Sequence, residues 1–316
     1  MQSRKLIGSL TVIGLNLVIF YFLLRWCLEN VRPDLLARQI VKMPLITIIL
    51  TVAANIMAFA FYALRLGVLI NKQFRISLPT VIVGFGLNSV LPFRLGELAK
   101  LYYADRIFSI PASGLFAAAL VEKLCDLSAL AILAVLIVMA TDIGLIHKGM
   151  AILLVAIVLA GYVFAFTYRR FAHRIEQAVG GYVRLQALLV ALREQSRMHH
   201  LRVIVLYTLA IWTLNTLVTY IAFSGFLPDL RIGIEDAVAL LLISALAIAV
   251  PTAPAGVGVF EAGIVAYLTQ VLGMPSEPAL AAAVVFHLAV TIPQLAFLGG
   301  IMLWSRLQVA DKEVRR

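Results

Sequence analysis

The sequence predicts an all-α integral membrane protein, with six spanning helices and two re-entrant, broken-helix segments arranged as an inverted repeat. Three observations predict it. Of the 316 residues, 63% are hydrophobic and only 13% charged, with a mean hydropathy of +1.01, whereas soluble domains are about 45–50% apolar and about 25% charged. Apolar runs of roughly 20 residues recur along the whole length, far more than one anchor requires. Two further apolar segments are interrupted by proline and glycine mixed with charges, a composition that does not continue a helix.

The uninterrupted runs are 6–26, 44–68, 113–141, 150–168, 201–224 and 278–304. At about 1.5 Å rise per residue each can cross a hydrocarbon core of roughly 30 Å. The first run follows Met-Gln-Ser-Arg-Lys, lacks a small-residue cleavage site and carries Arg25 and Trp26 where one would fall. It is expected to be a retained span. The interrupted segments are 79–106, broken around Pro92, Arg94, Gly96 and Glu97, and 235–273, broken by PTAPAGVGVFE from Pro251 to Glu261. The longest polar stretch, Arg169 to Arg202, has room for one surface helix, and no soluble domain of useful size remains.

Charge sets the expected orientation. With a cytoplasmic N-terminus and both broken segments returning to the side they came from, 18 of the 26 Lys and Arg residues fall on cytoplasmic parts. The external loops hold Arg32, Arg38, Lys42, Lys148 and Arg231. A full crossing by 79–106 would carry the Arg-rich stretch 169–202 outside, against the positive-inside rule. The layout implies a single transmembrane domain over 1–316, with repeats at about 44–141 and 201–304 and the span 150–168 reversing direction between them. Inverted repeats with Gly/Pro-broken helices are a transporter pattern.

The net charge of +10 does not point to nucleic acid, because the basic residues sit in short loops beside apolar runs, where they set orientation and meet anionic headgroups. Cys27 and Cys125 lie far apart, so neither a disulfide nor a metal site is indicated. There is no G-x-S-x-G elbow, H-E-x-x-H pair, Cys/His cluster or phosphate-binding loop. No cofactor and no catalytic residue is expected, and an enzyme is the weaker class.

What stands out is charge inside apolar segments: Arg65, Arg94, Glu97, Glu122, Lys123, Asp126, Glu261 and His287. A charge at the bilayer centre costs about 2.5–3.5 kcal/mol even on lenient insertion scales, so such groups face a protein interior or a wet cavity and pair. Glu122 and Asp126 are four apart on one helix face, and Arg65 and Arg94 are their natural partners. Lys123 points elsewhere. Plainer roles exist for several: Arg65 could snorkel, His287 could be a hydrogen-bonded packing residue, and Gly256 and Gly258 could serve tight packing alone. Lys100, Asp105 and Arg106 are expected at the interface. The constellation Arg94, Glu97, Glu122 and Asp126 exceeds what anchoring needs.

At these residues the chain resembles a known family. NSVLPFRLGELAK (Asn88 to Lys100) is similar to the N-x-x-x-P-x-R-x-G-E signature of the lysylphosphatidylglycerol synthase transmembrane family, also described as flippase-like. VEKLCDL resembles its Glu-Arg-x-x-Asp element, PTAPAGVGVFEAG its Pro-x-x-Pro-Gly-Gly-x-Gly-x-x-Glu element, and Arg65 matches an early family arginine. The resemblance places Asn88, Pro92, Arg94, Gly96, Glu97, Glu122, Asp126, Pro251, Pro254, Gly256, Gly258 and Glu261 on motif positions. Three positions depart: Lys123 stands for an arginine, Ala255 for the first glycine of a pair, and His287 for a late arginine. In the bifunctional resistance factors this membrane part is joined to a soluble aminoacyl transferase. With the sequence ending at Arg316, that half is expected to be absent and aminoacylation is not assigned.

The combined expectation is lipid translocation in a prokaryotic inner membrane. Arg65, Asn88, Arg94, Glu97, Glu122, Asp126, Glu261 and His287 would meet an anionic or phosphate-bearing headgroup, and Pro92, Gly96, Pro251, Pro254, Gly256 and Gly258 would supply the breaks. Arg94 would take the phosphate. The alternatives are a proton- or ion-coupled small-solute transporter and a non-catalytic membrane partner of an envelope-lipid biosynthetic enzyme. Such an enzyme and a second copy of the chain are the candidate protein partners.

Overall fold

A computed structural model of the chain describes residues 33–140, 145–178, 183–196, 200–249 and 254–314. The expected first span 6–26, Cys27 and Pro251 lie outside the described residues. Within them every regular element is a helix. In order these are α1 (Pro33–Lys42), α2 (Leu45–Ile70), α3 (Phe74–Val90), α4 (Gly96–Phe108), α5 (Ala112–Ala140), α6 (Leu145–Ala178), α7 (Val183–Ser196), α8 (Leu201–Phe226), α9 (Ile234–Ala249), α10 (Val259–Gln270) and α11 (Ser276–Val314). An all-helical build is what a bilayer demands, since a helix satisfies its backbone polar groups internally. The hydroxyls follow suit: Thr51, Thr80, Ser128, Thr208, Thr216 and Ser244 each donate to the carbonyl four residues back.

Among the described residues, four helical stretches are long and apolar enough to cross a membrane: Leu45–Ile70, Ala151–Tyr168, Leu201–Phe226 and Ser276–Leu303. The chain is a multi-pass membrane protein. Its outward surface agrees, for Ile152, Leu153, Ile157, Leu159, Val163, Phe164 and Phe166 of α6 are all exposed, as side chains facing lipid would be. Helix α5 matches these in length, with 29 residues, but carries Glu122, Lys123 and Asp126. Two expectations are corrected. The segment carrying Arg38 and Lys42, expected in an external loop, forms the helix α1. The polar stretch Arg169–Arg202 is not one surface helix: α6 runs on to Ala178, and α7 follows from Val183.

Both broken segments are broken where the prolines and glycines predict, and both in the same way. Helix α3 ends at Val90, a short 3₁₀ turn spans Pro92–Arg94, and α4 starts at Gly96. Helix α9 ends at Ala249, a 3₁₀ turn spans Pro254–Gly256, and α10 starts at Val259. Each turn holds residues in the left-handed region: Phe93 (φ 58°) and Arg94 (φ 55°) in the first, Ala255 (φ 56°) and Gly256 (φ 74°) in the second. For the non-glycine residues this costs about 1–2 kcal/mol each. Pro79, by contrast, sits inside α3 without ending it.

The described chain forms two compact units. The first comprises residues to Ala54, Phe85–Glu97 and Leu217 onward; the second comprises Asn55–Gly84 and Leu98–Thr216. In the first, α11 packs on α10 and α1, α9 packs on α10, and the two 3₁₀ turns touch. Its core joins Phe223, Leu240, Phe260, Ile264, Leu268 and Phe286 to fully buried Ala279, Ala282 and Ala283. Small residues let helix backbones close up where lipid gives no hydrophobic drive. Gly86 is one such place: a Cβ there would lie 2.8 Å from Leu298 Cβ. In the second unit α5 packs on α6 and α7, and Ala63, Leu66, Leu115, Ala117, Ala118 and Ile211 are buried.

Candidate functional site

The second unit contains a buried ion cluster. Arg65, 1% exposed, lies near the C-terminal end of α2. Its Nη1 and Nη2 donate to the two oxygens of Asp126 at 2.7 and 3.1 Å, a forked geometry, and Nη1 also donates to Thr208 Oγ1 at 3.1 Å. Its guanidinium stacks 5.4 Å over the Tyr62 ring, one helical turn earlier. Trp212 Nε1 donates to Asp126 Oδ1 at 3.2 Å. Glu122, one turn before Asp126, accepts from Lys100 Nζ at 3.0 Å and lies 3.8 Å from Arg65 Nε. The four charges sum to zero. Helix α4 is arranged around this contact: Lys100 is buried while Leu98, Tyr102 and Ile107 point outward.

This corrects two expectations. Lys100 is not interfacial; it is buried and paired with Glu122. Within the unit, Arg65 and Lys100 are the partners of Asp126 and Glu122, so the carboxylates do not depend on Arg94. The reason is reach: Lys100 lies on α4 one turn beyond Glu97, on the face that also buries Ala104. Lys123 is exposed.

The first unit contains a cavity of about 140 Å³ at the two breaks. Asn88 and Ser89 line it from the end of α3, Phe93 and Arg94 from the first turn, Ala255 and Gly256 from the second, and His287, Thr291 and Gln294 from α11. Ser89 Oγ donates to Gln294 Oε1 at 2.9 Å. Asn88 Oδ1 is buried with no hydrogen-bond partner among the described residues. Arg94 is half-buried, and no carboxylate within 4.0 Å of it is found among the described residues. Glu97, half-buried, stands in the first turn of α4, where a carboxylate meets the positive end of the helix dipole.

On the cavity wall His287 is 6% exposed, and its Nδ1 lies 2.5 Å from Glu261 Oε1. The other oxygen of Glu261 accepts from the backbone N–H of Gly258 at 2.7 Å, closing the start of α10. The His287 ring packs 4.3 Å from Phe260. Glu261 therefore does two local jobs, capping its own helix and holding His287. The only fixed positive charge lining the cavity among the described residues is Arg94, so the site favours an anion. Among those residues no group of three His, Cys, Asp or Glu could hold a metal ion.

The chain matches the family described as Lysylphosphatidylglycerol synthase TM region over residues 7–297. It belongs to that family. No curated protein matches the chain. The residues singled out from the sequence divide between the two units: Asn88, Arg94, Gly96, Glu97, Pro254, Gly256, Gly258, Glu261 and His287 lie in the first, Arg65, Glu122 and Asp126 in the second. Gly96 and Gly258 are buried and Pro254 is exposed. The Ala255 departure falls on a residue at φ 56°, where a glycine would be unstrained.

Sequence reasoning missed Lys100, Thr208, Trp212, Thr291 and Gln294. One signal was available for two of them: Thr208 and Trp212 are four apart, on one face of α8. Nothing local marks Gln294 as the partner of Ser89, 205 residues away.

Proposed function

We propose that the chain translocates a phosphate-bearing lipid, a phospholipid or a polyprenyl-phosphate-linked amphiphile, by giving its headgroup a polar path through the cavity at the two breaks. The observation that carries this reading is Arg94, placed by a left-handed kink on the wall of that cavity and without an ion-pair partner among the described residues. A guanidinium presents forked donors that match a phosphate. The volume supports a headgroup as the occupant: about 140 Å³ is below the roughly 300–1,000 Å³ of a pocket for a drug-sized ligand, so the tails stay in lipid.

The same reading takes the two broken helices as re-entrant arms of an inverted repeat over 44–141 and 201–304. It has six spans and cytoplasmic termini in a prokaryotic inner membrane, and it assigns no catalytic step. The matching build of the breaks, helix then left-handed 3₁₀ turn then helix, supports the repeat. Reconstitution tests the function. Proteoliposomes holding reporter lipids with a panel of headgroups should exchange phosphate-bearing lipids faster than protein-free vesicles. Correctly inserted protein that accelerates none of them would sink the proposal.

A further inference from the structure

We infer that anion binding in this cavity is linked to protonation of His287, with Glu261 as the residue that positions it. The inference rests on the reading that the cavity takes a phosphate-bearing headgroup. His287 is a wall residue of the cavity and is buried. Its Nδ1 is committed to Glu261 at 2.5 Å, and Glu261 is itself fixed by the Gly258 N–H. The nitrogen left for a cavity ligand is Nε2, which has no hydrogen-bond partner among the described residues.

The chemistry of the ring then decides what the ligand meets. While Nδ1–H donates to the Glu261 carboxylate, a neutral imidazole carries a lone pair on Nε2, which disfavours an anion. Protonation turns Nε2 into a donor and adds a positive charge to the wall that Arg94 also lines. An anion therefore binds the protonated form better, and binding takes up a proton. Histidine is the side chain whose charge changes between roughly pH 5 and 8. Among the described residues, the charged groups beside His287 or on its cavity wall are Glu261 from α10 and Arg94 from the first break. Helices α3 and α9 bring only neutral groups to the cavity, and Asp34, Arg38 and Lys42 of α1 are exposed.

The sign follows from linkage. A ligand preferring the protonated form binds more tightly at low pH, and its affinity falls as pH rises, by up to about tenfold per pH unit for one proton. The test uses the purified full chain and short-chain phosphatidylglycerol, whose phosphodiester keeps one charge from pH 5.5 to 8. Calorimetry should show affinity falling severalfold across that range. Titration in two buffers of different ionisation enthalpy should show net proton uptake by the wild type.

The variants separate the two ideas. His287→Arg should bind tightly with no pH slope, and His287→Gln weakly with none. A pH-independent wild type without proton uptake, or a full slope retained by His287→Gln, overturns the inference. Arg94→Gln tests the underlying reading separately: it should lose binding at every pH, and wild-type affinity in that variant would overturn the headgroup site itself.

Discussion

The ion cluster of the second unit and the cavity of the first are built from the same kind of residue and end in opposite circumstances. Around Arg65 every charge has its counter-charge: Asp126 is gripped through both oxygens, and Glu122 is held by Lys100. The other polar residues lining the cavity with Arg94 are two amides, two hydroxyls and a histidine. A charge in an apolar segment is thus a structural lock in one place and, in the function proposed above, a group left for a ligand in the other. What separates them is whether the described residues supply the partner.

The sharpest way to break this comparison is to remove Arg65. Arg65→Ala leaves Asp126 buried and unpaired, and breaking a buried pair costs about 3–5 kcal/mol. Denaturation in mild detergent should show that loss, with poor yield of folded protein. Wild-type stability in this variant would mean the cluster is no lock. Next comes Lys100→Met, which keeps the length and removes the charge. Arg65 Nε remains 3.8 Å from Glu122, so the expected loss is smaller, about 1–3 kcal/mol, read from the same unfolding curve.

The cavity should respond in a different currency. Arg94→Lys keeps the charge and loses the fork. One charge-assisted hydrogen bond, about 1.5 kcal/mol, corresponds to roughly tenfold slower lipid exchange in proteoliposomes, with the unfolding midpoint unchanged. Arg94→Ala should also leave stability nearly intact, since Glu122 keeps Lys100. A large stability loss there, or full exchange by the lysine variant, would move Arg94 into the structural class. The smallest effect is expected at Ala255→Gly. Relief of the left-handed strain is largely offset by the greater freedom of glycine in the unfolded chain. A gain of no more than about 1 kcal/mol should appear as a small rise in the thermal midpoint.

Much of the fold was legible because its causes are local. The helices α2, α6, α8 and α11 follow from apolar length, and both breaks from proline and glycine. Glu122 and Asp126 could be placed on one face by their spacing. The left-handed backbone of Phe93 and Arg94 could not be read from residue types that rarely adopt it. Nor could the burial of Lys100, because α4 turns its cation inward and its Leu98 and Tyr102 outward, the reverse of a soluble amphipathic helix.

By itself, then, the sequence determined a multi-pass helical membrane protein, the positions of its breaks and which charges are too costly to leave unexplained. All of these depend on hydrophobic length, backbone propensity and desolvation, which act within a few turns of chain. Tertiary structure alone decided the pairings. Asp126 meets Arg65 across 61 residues of chain, and Thr208 joins them across 143. A hydrogen bond forms only within about 3 Å, and no periodicity along the sequence carries distance at that scale between separate helices.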